Sequence, residues 1–147
     1  MKVVIQRVSH ASCTVEGTVT GAIEQGLLLL VGFDRQDTEA ILPKMVRKCV
    51  QMRIFCDENG KMNRSVLDVH GKILSISQFT LYADCKSGNR PSFIEAAPAD
   101  EARILYDKFN ALLAEKIEVE KGIFGADMKI ELLNDGPITI VLDSKEL

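Results

Sequence analysis

One stretch restricts the fold more than any other. From Lys72 to Tyr82 the chain reads Lys-Ile-Leu-Ser-Ile-Ser-Gln-Phe-Thr-Leu-Tyr, a strand by composition. Side chains of a strand alternate between faces. Ile73, Ser75, Ser77, Phe79 and Leu81 therefore share one face, and Leu74, Ile76, Gln78, Thr80 and Tyr82 the other. The second face changes midway from aliphatic to hydrogen-bonding. An amide or hydroxyl buried without a partner costs about 1–3 kcal/mol. The strand is therefore expected to leave the core and enter a site, where neighbours or a ligand supply partners.

The flanking segments frame this strand. Met1–Val15 is strand-like, and Glu16-Gly17 reads as a hairpin turn into Thr18–Ile23. Leu27–Phe33 reads as a buried strand. Asp37 is placed as an N-cap, with Glu39 in the first turn of a helix running to Met52. Pro43 should kink that helix or shift its start. Arg53–Cys56 is a short strand and Asp57–Gly60 a turn. Ala83–Pro91 is a loop. Pro98 to Glu101 opens a second helix with a core stripe of Leu105, Phe109 and Leu112. Met128–Leu133 and Ile138–Leu142 read as two closing strands separated by Asn134-Asp135-Gly136-Pro137. Hairpins and two helices predict an α+β fold, with a mostly antiparallel or mixed sheet closed into a barrel-like core.

The chain's 147 residues, 46% of them hydrophobic, are enough for one domain spanning 1–147 with a real core. The first ten residues lack the continuous apolar segment of a signal peptide, and the run Leu27–Val31 is too short to span a bilayer. A cytoplasmic location and no membrane partner are expected. Cys13, Cys49, Cys56 and Cys85 form no CxxC pair and share no spacing with a histidine cluster, so no metal site and no cofactor is expected. A net charge of −3 argues against non-specific coating of nucleic acid.

Several segments carry chemistry. Thr80 as a nucleophile needs a base, and no neighbour in sequence supplies one. Ser77 and Gln78, with the backbone N–H groups at the strand end, suit oxyanion stabilisation, which requires only preorganised donors. The plainer reading pairs these residues within the sheet. Gly136-Pro137 is ordinarily a turn, yet an X–Pro bond is the one that takes the cis form at modest cost, and glycine permits close approach to the backbone. Thr139 follows two residues on. The loop Lys86–Phe93 carries two cations, Lys86 and Arg90, and an aromatic, Phe93, which suit phosphate contact and base stacking or else a solvated loop.

Taken together, these segments resemble the D-aminoacyl-tRNA deacylases, also called D-tyrosyl-tRNA deacylases, over essentially the full length. The resemblance rests on Met1–Val8, Arg53-Ile54-Phe55, Gly60–Asn63, Ser77-Gln78-Phe79-Thr80-Leu81-Tyr82, Arg90–Phe93, Phe124–Met128 and Asn134-Asp135-Gly136-Pro137-Ile138-Thr139. It implies a homodimer with active sites at the subunit interface. The implied activity is hydrolysis of the ester between a D-amino acid and the 3′-terminal adenosine of tRNA, extending to glycyl-tRNA and sparing L-aminoacyl-tRNA. Ser77, Gln78, Phe79 and Thr80 are then expected to line the site, and Gly136, Pro137 and Thr139 to carry chiral selection. In the family the Gly-Pro bond is cis and enters the partner's pocket. Lys86 and Arg90 are expected tRNA contacts. Two alternatives stand beside this: a non-catalytic RNA-binding module, and a threonine-nucleophile esterase.

Overall fold

The computed structural model describes residues 1–147. In chain order the elements are β1 (Lys2–Val15), β2 (Thr18–Ile23), β3 (Gly26–Gly32), α1 (Leu42–Gln51), β4 (Phe55–Cys56), β5 (Met62–Arg64), β6 (Lys72–Ser77), α2 (Ala99–Ala114), β7 (Val119–Lys121) and β8 (Lys129–Asp143), with short 3-10 turns at Glu39–Ile41, Phe79–Tyr82 and Ser144–Glu146. β1 organises the sheet. One of its edges pairs antiparallel with β8 from Lys2↔Asp143 to Thr14↔Lys129. The other edge pairs first with β3, Lys2↔Gly32 to Val8↔Gly26, and then with β2, Ala11↔Ile23 to Val15↔Thr18. The β1–β2 hairpin turns through Glu16 and Gly17, both at positive φ, as a two-residue turn between twisted strands requires.

β6 lies parallel to β3, and β7 parallel to β6. The sheet then curls until its ends meet. A Cβ built on Gly21 of β2 would lie 2.8 Å from the carbonyl oxygen of Lys121 in β7. The result is a mixed sheet nearly closed into a barrel, with two helices, as expected.

Both faces of the sheet are buried, for different reasons. Val3, Ile5, Leu27, Leu29, Val31 and Ile73 face the helices and pack with Met45, Cys49, Phe109 and Leu113. Val8, Ala11, Cys13, Ile23, Leu28, Leu74 and Ile76 point the other way, into a second core built from strands alone. This explains the unbroken apolar run of β3 and the continuous burial of Ile73–Ile76 in β6: parallel strands covered on both sides show no alternation. Phe109 is fully buried, and truncating it to alanine should cost about 3–5 kcal/mol.

Four expectations are corrected. The strand expected over Lys72–Tyr82 ends at Ser77. Gln78 N–H makes the last bond to β3, at Val31 O, and Leu81 N–H then folds back to Gln78 O. Asp37 is not an N-cap; Thr38 occupies that position without a side-chain bond. Asp37 instead accepts from the Met1 ammonium at 2.6 Å and from Asp34 N–H at 2.7 Å, an ion pair stronger than a cap. Leu113, not Leu112, completes the core stripe of α2. The two closing strands are a single one, because both halves of β8 find a partner in the long β1. Pro43 shifts the start of its helix: it lies in the first turn of α1, where its missing N–H has no intrahelical partner to lose.

Candidate active site

The end of β6, the end of β3 and the start of α2 enclose a cavity of about 610 Å³. Its wall includes Ser77, Gln78 and Phe79, with Gly32 and Phe33 beside them, Phe93 and Ala96–Ala99 opposite, and Phe124–Met128 closing the side. The chain reaches this shape through local bonds. Ala97 N–H donates to Phe33 O at 2.9 Å, tying the 93–99 segment to the end of β3. Asp84 and Ser92 exchange backbone bonds of 2.8 and 2.9 Å, closing the loop that carries Lys86 and Arg90 and aiming Phe93 at Phe79. Their rings meet edge to face at 5.1 Å. Phe79 is 56% exposed, so an aromatic surface stands open at the mouth, of the kind on which nucleobases stack.

The wall depends on main chain. At Gly32 a Cβ would fall 2.8 Å from Gln78 O, so this close approach admits only glycine without movement. The 3-10 turn Phe79–Tyr82 leaves the N–H groups of its first residues without intrahelical partners. Tyr82 anchors the far end of the turn. It is buried, and burial, together with Asp37, Asp34 and Asp143, pushes its hydroxyl far above the ordinary tyrosine value. Tyr106 steadies the strand: its hydroxyl donates to Ser75 O at 2.8 Å and its ring lies 5.8 Å from Phe124. Burial also raises its pKa, against the bond to Ser75, so both tyrosines keep their protons.

Side-chain acid–base machinery is sparse. The Thr80 hydroxyl accepts from Gln78 Nε2 at 2.5 Å, an amide that cannot take its proton. Arg35 reaches the cavity but donates to Ile94 O, and Asp127 pairs with Lys129 at 3.1 Å. Cys49 is buried beneath the helices, and burial pushes its thiol up to about 12, so it is no nucleophile.

Gly136 and Pro137 lie elsewhere on the chain, in the middle of β8 opposite Gln6–Val8, where the pairing register shifts twice. The peptide bond between them is cis. Arg7 braces the bulge, donating through Nε to Asp135 O at 3.1 Å and through Nη1 to Ile54 O at 2.7 Å. Asn134 Nδ2 closes it with bonds to Arg7 O at 3.1 Å and Ile138 O at 2.9 Å. Thr139 accepts from Gln6 Nε2 at 3.3 Å. None of Gly136, Pro137 or Thr139 borders the cavity of its own chain. The structure thus brings Ser77, Gln78 and Phe79 together, sets Thr80 just behind them, and holds the Gly-Pro bulge apart on a strand that pairs only with β1.

The family model for D-Tyr-tRNA(Tyr) deacylase matches residues 4–143. The chain belongs to this family. Membership in the deacylases places it among hydrolases by class, and aminoacyl-tRNA fits as the substrate type. Two solved structures share the fold. One, a c-Myc DNA unwinding element binding protein, is 41% identical with a TM-score of 0.92, the match covering 97% of this chain and 98% of that one. The other, a probable eukaryotic D-amino acid tRNA deacylase, is 18% identical with a TM-score of 0.81 over 96% and 97% of the two chains. No helix is long and apolar enough to cross a membrane. Sequence reasoning passed over Arg7 and Gly32 as parts of the site, and offered Phe93 only as the aromatic of a loop suited to base stacking. Arg7 and Phe93 do stand inside segments that carry the resemblance. Gly32 carried no signal, because its role is a contact with a carbonyl 46 residues away, at Gln78.

Proposed function

We propose that this chain hydrolyses the ester joining a D-amino acid, or glycine, to the 3′-terminal adenosine of tRNA, and spares L-aminoacyl-tRNA. The observation that carries this reading is the pairing of family membership with a cavity walled by main chain at Ser77–Phe79. Its volume suits an adenosine with a small acyl group. An aminoacyl ester is already activated, so positioning and oxyanion stabilisation are enough. In this mechanism Phe79 stacks the adenine. Backbone N–H groups at the start of the Phe79–Tyr82 turn receive the negative charge that develops on the carbonyl oxygen. Water adds to the carbonyl carbon, the ester C–O bond breaks, and the 3′-oxygen leaves with a proton. The terminal ribose 2′-hydroxyl assists, because Thr80 has no base.

Chiral selection falls to Gly136-Pro137. The bulge lies outside its own cavity on an unpaired edge, which suits entry into the pocket of a second subunit. There a wall of backbone would meet the Cα hydrogen of a D-residue but clash with the side chain of an L-residue. The reading therefore includes a homodimer, acting in the cytoplasm as translational proofreading, with Lys86 and Arg90 near the RNA.

Incubation with D-tyrosyl-tRNA and L-tyrosyl-tRNA tests it. The D-ester should be cleared and the L-ester should persist; a D-ester as long-lived as in buffer defeats the proposal. A second reading, nucleic-acid binding without turnover, draws support from the 41%-identical DNA unwinding element binding protein. Tight binding of uncharged tRNA with no ester hydrolysis would favour it.

A further inference from the structure

The longest stretch of the chain free of acidic residues runs from Ala40 to Cys56, and it holds four cations: Lys44, Arg47, Lys48 and Arg53. Elsewhere 14 cations face 21 carboxylates. All four side chains are exposed: Lys44, Arg47 and Lys48 on the side of α1 opposite the buried Met45, Val46, Cys49 and Val50, and Arg53 just beyond the helix end. None of the four takes part in an ion pair or a side-chain hydrogen bond, whereas Arg64, Lys72, Lys108, Lys129 and Lys145 each meet a carboxylate.

Helix stability does not account for this face. Lys44 stands in the first turn of α1, where the helix dipole disfavours a cation. Lys44 and Lys48 are four residues apart, and like charges at that spacing repel. A local rule broken twice on one surface points to an external polyanion that offsets the repulsion. The face also has a definite address. Arg7 ties Ile54 O, the residue after Arg53, to Asp135 O, the residue before Gly136. The basic surface therefore ends beside the Gly-Pro bulge.

We propose that the Lys44, Arg47 and Lys48 face of α1, continued by Arg53, binds the phosphate backbone of the tRNA body while its 3′ end enters the pocket of the partner subunit. This rests on the deacylase reading, in which the bulge of one subunit caps the pocket of the other. An acceptor stem leaving that pocket passes the surface next to the bulge. Net acidity elsewhere would then confine the RNA to this path.

The test is the double variant Lys44→Glu with Lys48→Glu, assayed on D-tyrosyl-tRNA and on 3′-D-tyrosyl-adenosine, which has no tRNA body. KM for the tRNA ester should rise at least about tenfold with kcat kept, while the adenosine ester is hydrolysed as by the wild type. Anisotropy titration of uncharged tRNA should show a log Kd against log salt slope lower by about 1 for each contact removed. Unchanged KM, Kd and salt slope overturn the proposal. If the reversal disturbs the fold, seen as equal loss on both esters, the Lys44→Gln with Lys48→Gln pair is judged by the same criteria. A wild type that cleaves neither ester defeats the deacylase reading, and the tRNA titration still decides the surface. Loss of binding to phosphatidylserine vesicles with tRNA binding intact would assign the face to a membrane and reject an RNA role.

Discussion

The cavity wall at Ser77–Phe79 and the bulge at Asn134–Thr139 are built on opposite plans. The wall is main chain pressed against main chain, held by Gly32 beneath Gln78 and by the Val31 bond. The bulge is main chain held out by side chains, chiefly the Arg7 guanidinium and the Asn134 amide. A wall of the first kind changes only when the backbone moves. A projection of the second kind can be slackened by one substitution with the rest of the fold in place. In the proposed reaction the wall governs the rate and the bulge governs the choice of substrate.

The largest effect is expected at the wall. Gly32→Ala would set a Cβ 2.8 Å from Gln78 O, and a displacement near 1 Å at a catalytic wall costs about 100-fold in rate. Turnover of D-tyrosyl-tRNA should fall by that order with the circular dichroism spectrum kept; an unchanged kcat would separate Gln78 from the chemistry. Arg7→Ala comes next. It strips donors from Asp135 O and Ile54 O, a loss of about 1–3 kcal/mol in stability by urea unfolding, and discrimination against L-tyrosyl-tRNA should narrow by about tenfold or more while D-ester turnover changes less. Arg7→Lys should restore little, since one ammonium cannot span both carbonyls. Equal losses on both esters would show that the bulge does not select.

Thr80→Ala is expected to lower kcat by less than about tenfold, because its hydroxyl meets an amide and no base. Complete loss of turnover with binding intact would restore the nucleophile reading. The smallest effect concerns acid stability. Burial pushes Asp34 up, but Lys145 at 2.6 Å, the Gln36 N–H and the N-terminal ammonium outweigh it and hold the carboxyl below its ordinary 3.8. A carboxyl depressed in the fold stabilises above its unfolded value and loses that contribution as pH falls through the folded one. Thermal stability should therefore decline below about pH 4, and Asp34→Asn should flatten that decline while lowering stability at neutral pH.

Periodicity and turn chemistry made much of this fold legible. The β1–β2 hairpin, the buried β3 and both helices follow from local patterns. Two features did not. Residues 78–82 keep strand composition, yet the chain turns at Gln78 because β3 has no further residue to pair with beyond Gly32. Residues 134–137 carry every mark of a hairpin turn, yet β8 continues, since β1 is long enough to pair with both halves. Each miss was a matter of the partner strand's length, which no window around the segment contains. For the site, Ser77, Gln78 and Phe79 were found through the motif. The bracing role of Arg7 needed the fold, because its acceptors lie 47 and 128 residues away.

The close approach at Gly32 bears on how such a wall changes over generations. Every residue type but proline offers the same N–H, so drift among the side chains at Ser77, Gln78 and Thr80 leaves the backbone-built part of the wall largely as it was, while Phe79 is held by the stacking its ring provides. The vulnerable letter sits instead on the neighbouring strand, at a residue with no side chain at all. Mutational scanning should accordingly find more tolerance at Ser77, Gln78 and Thr80 than at Phe79, and intolerance at a glycine outside the signature.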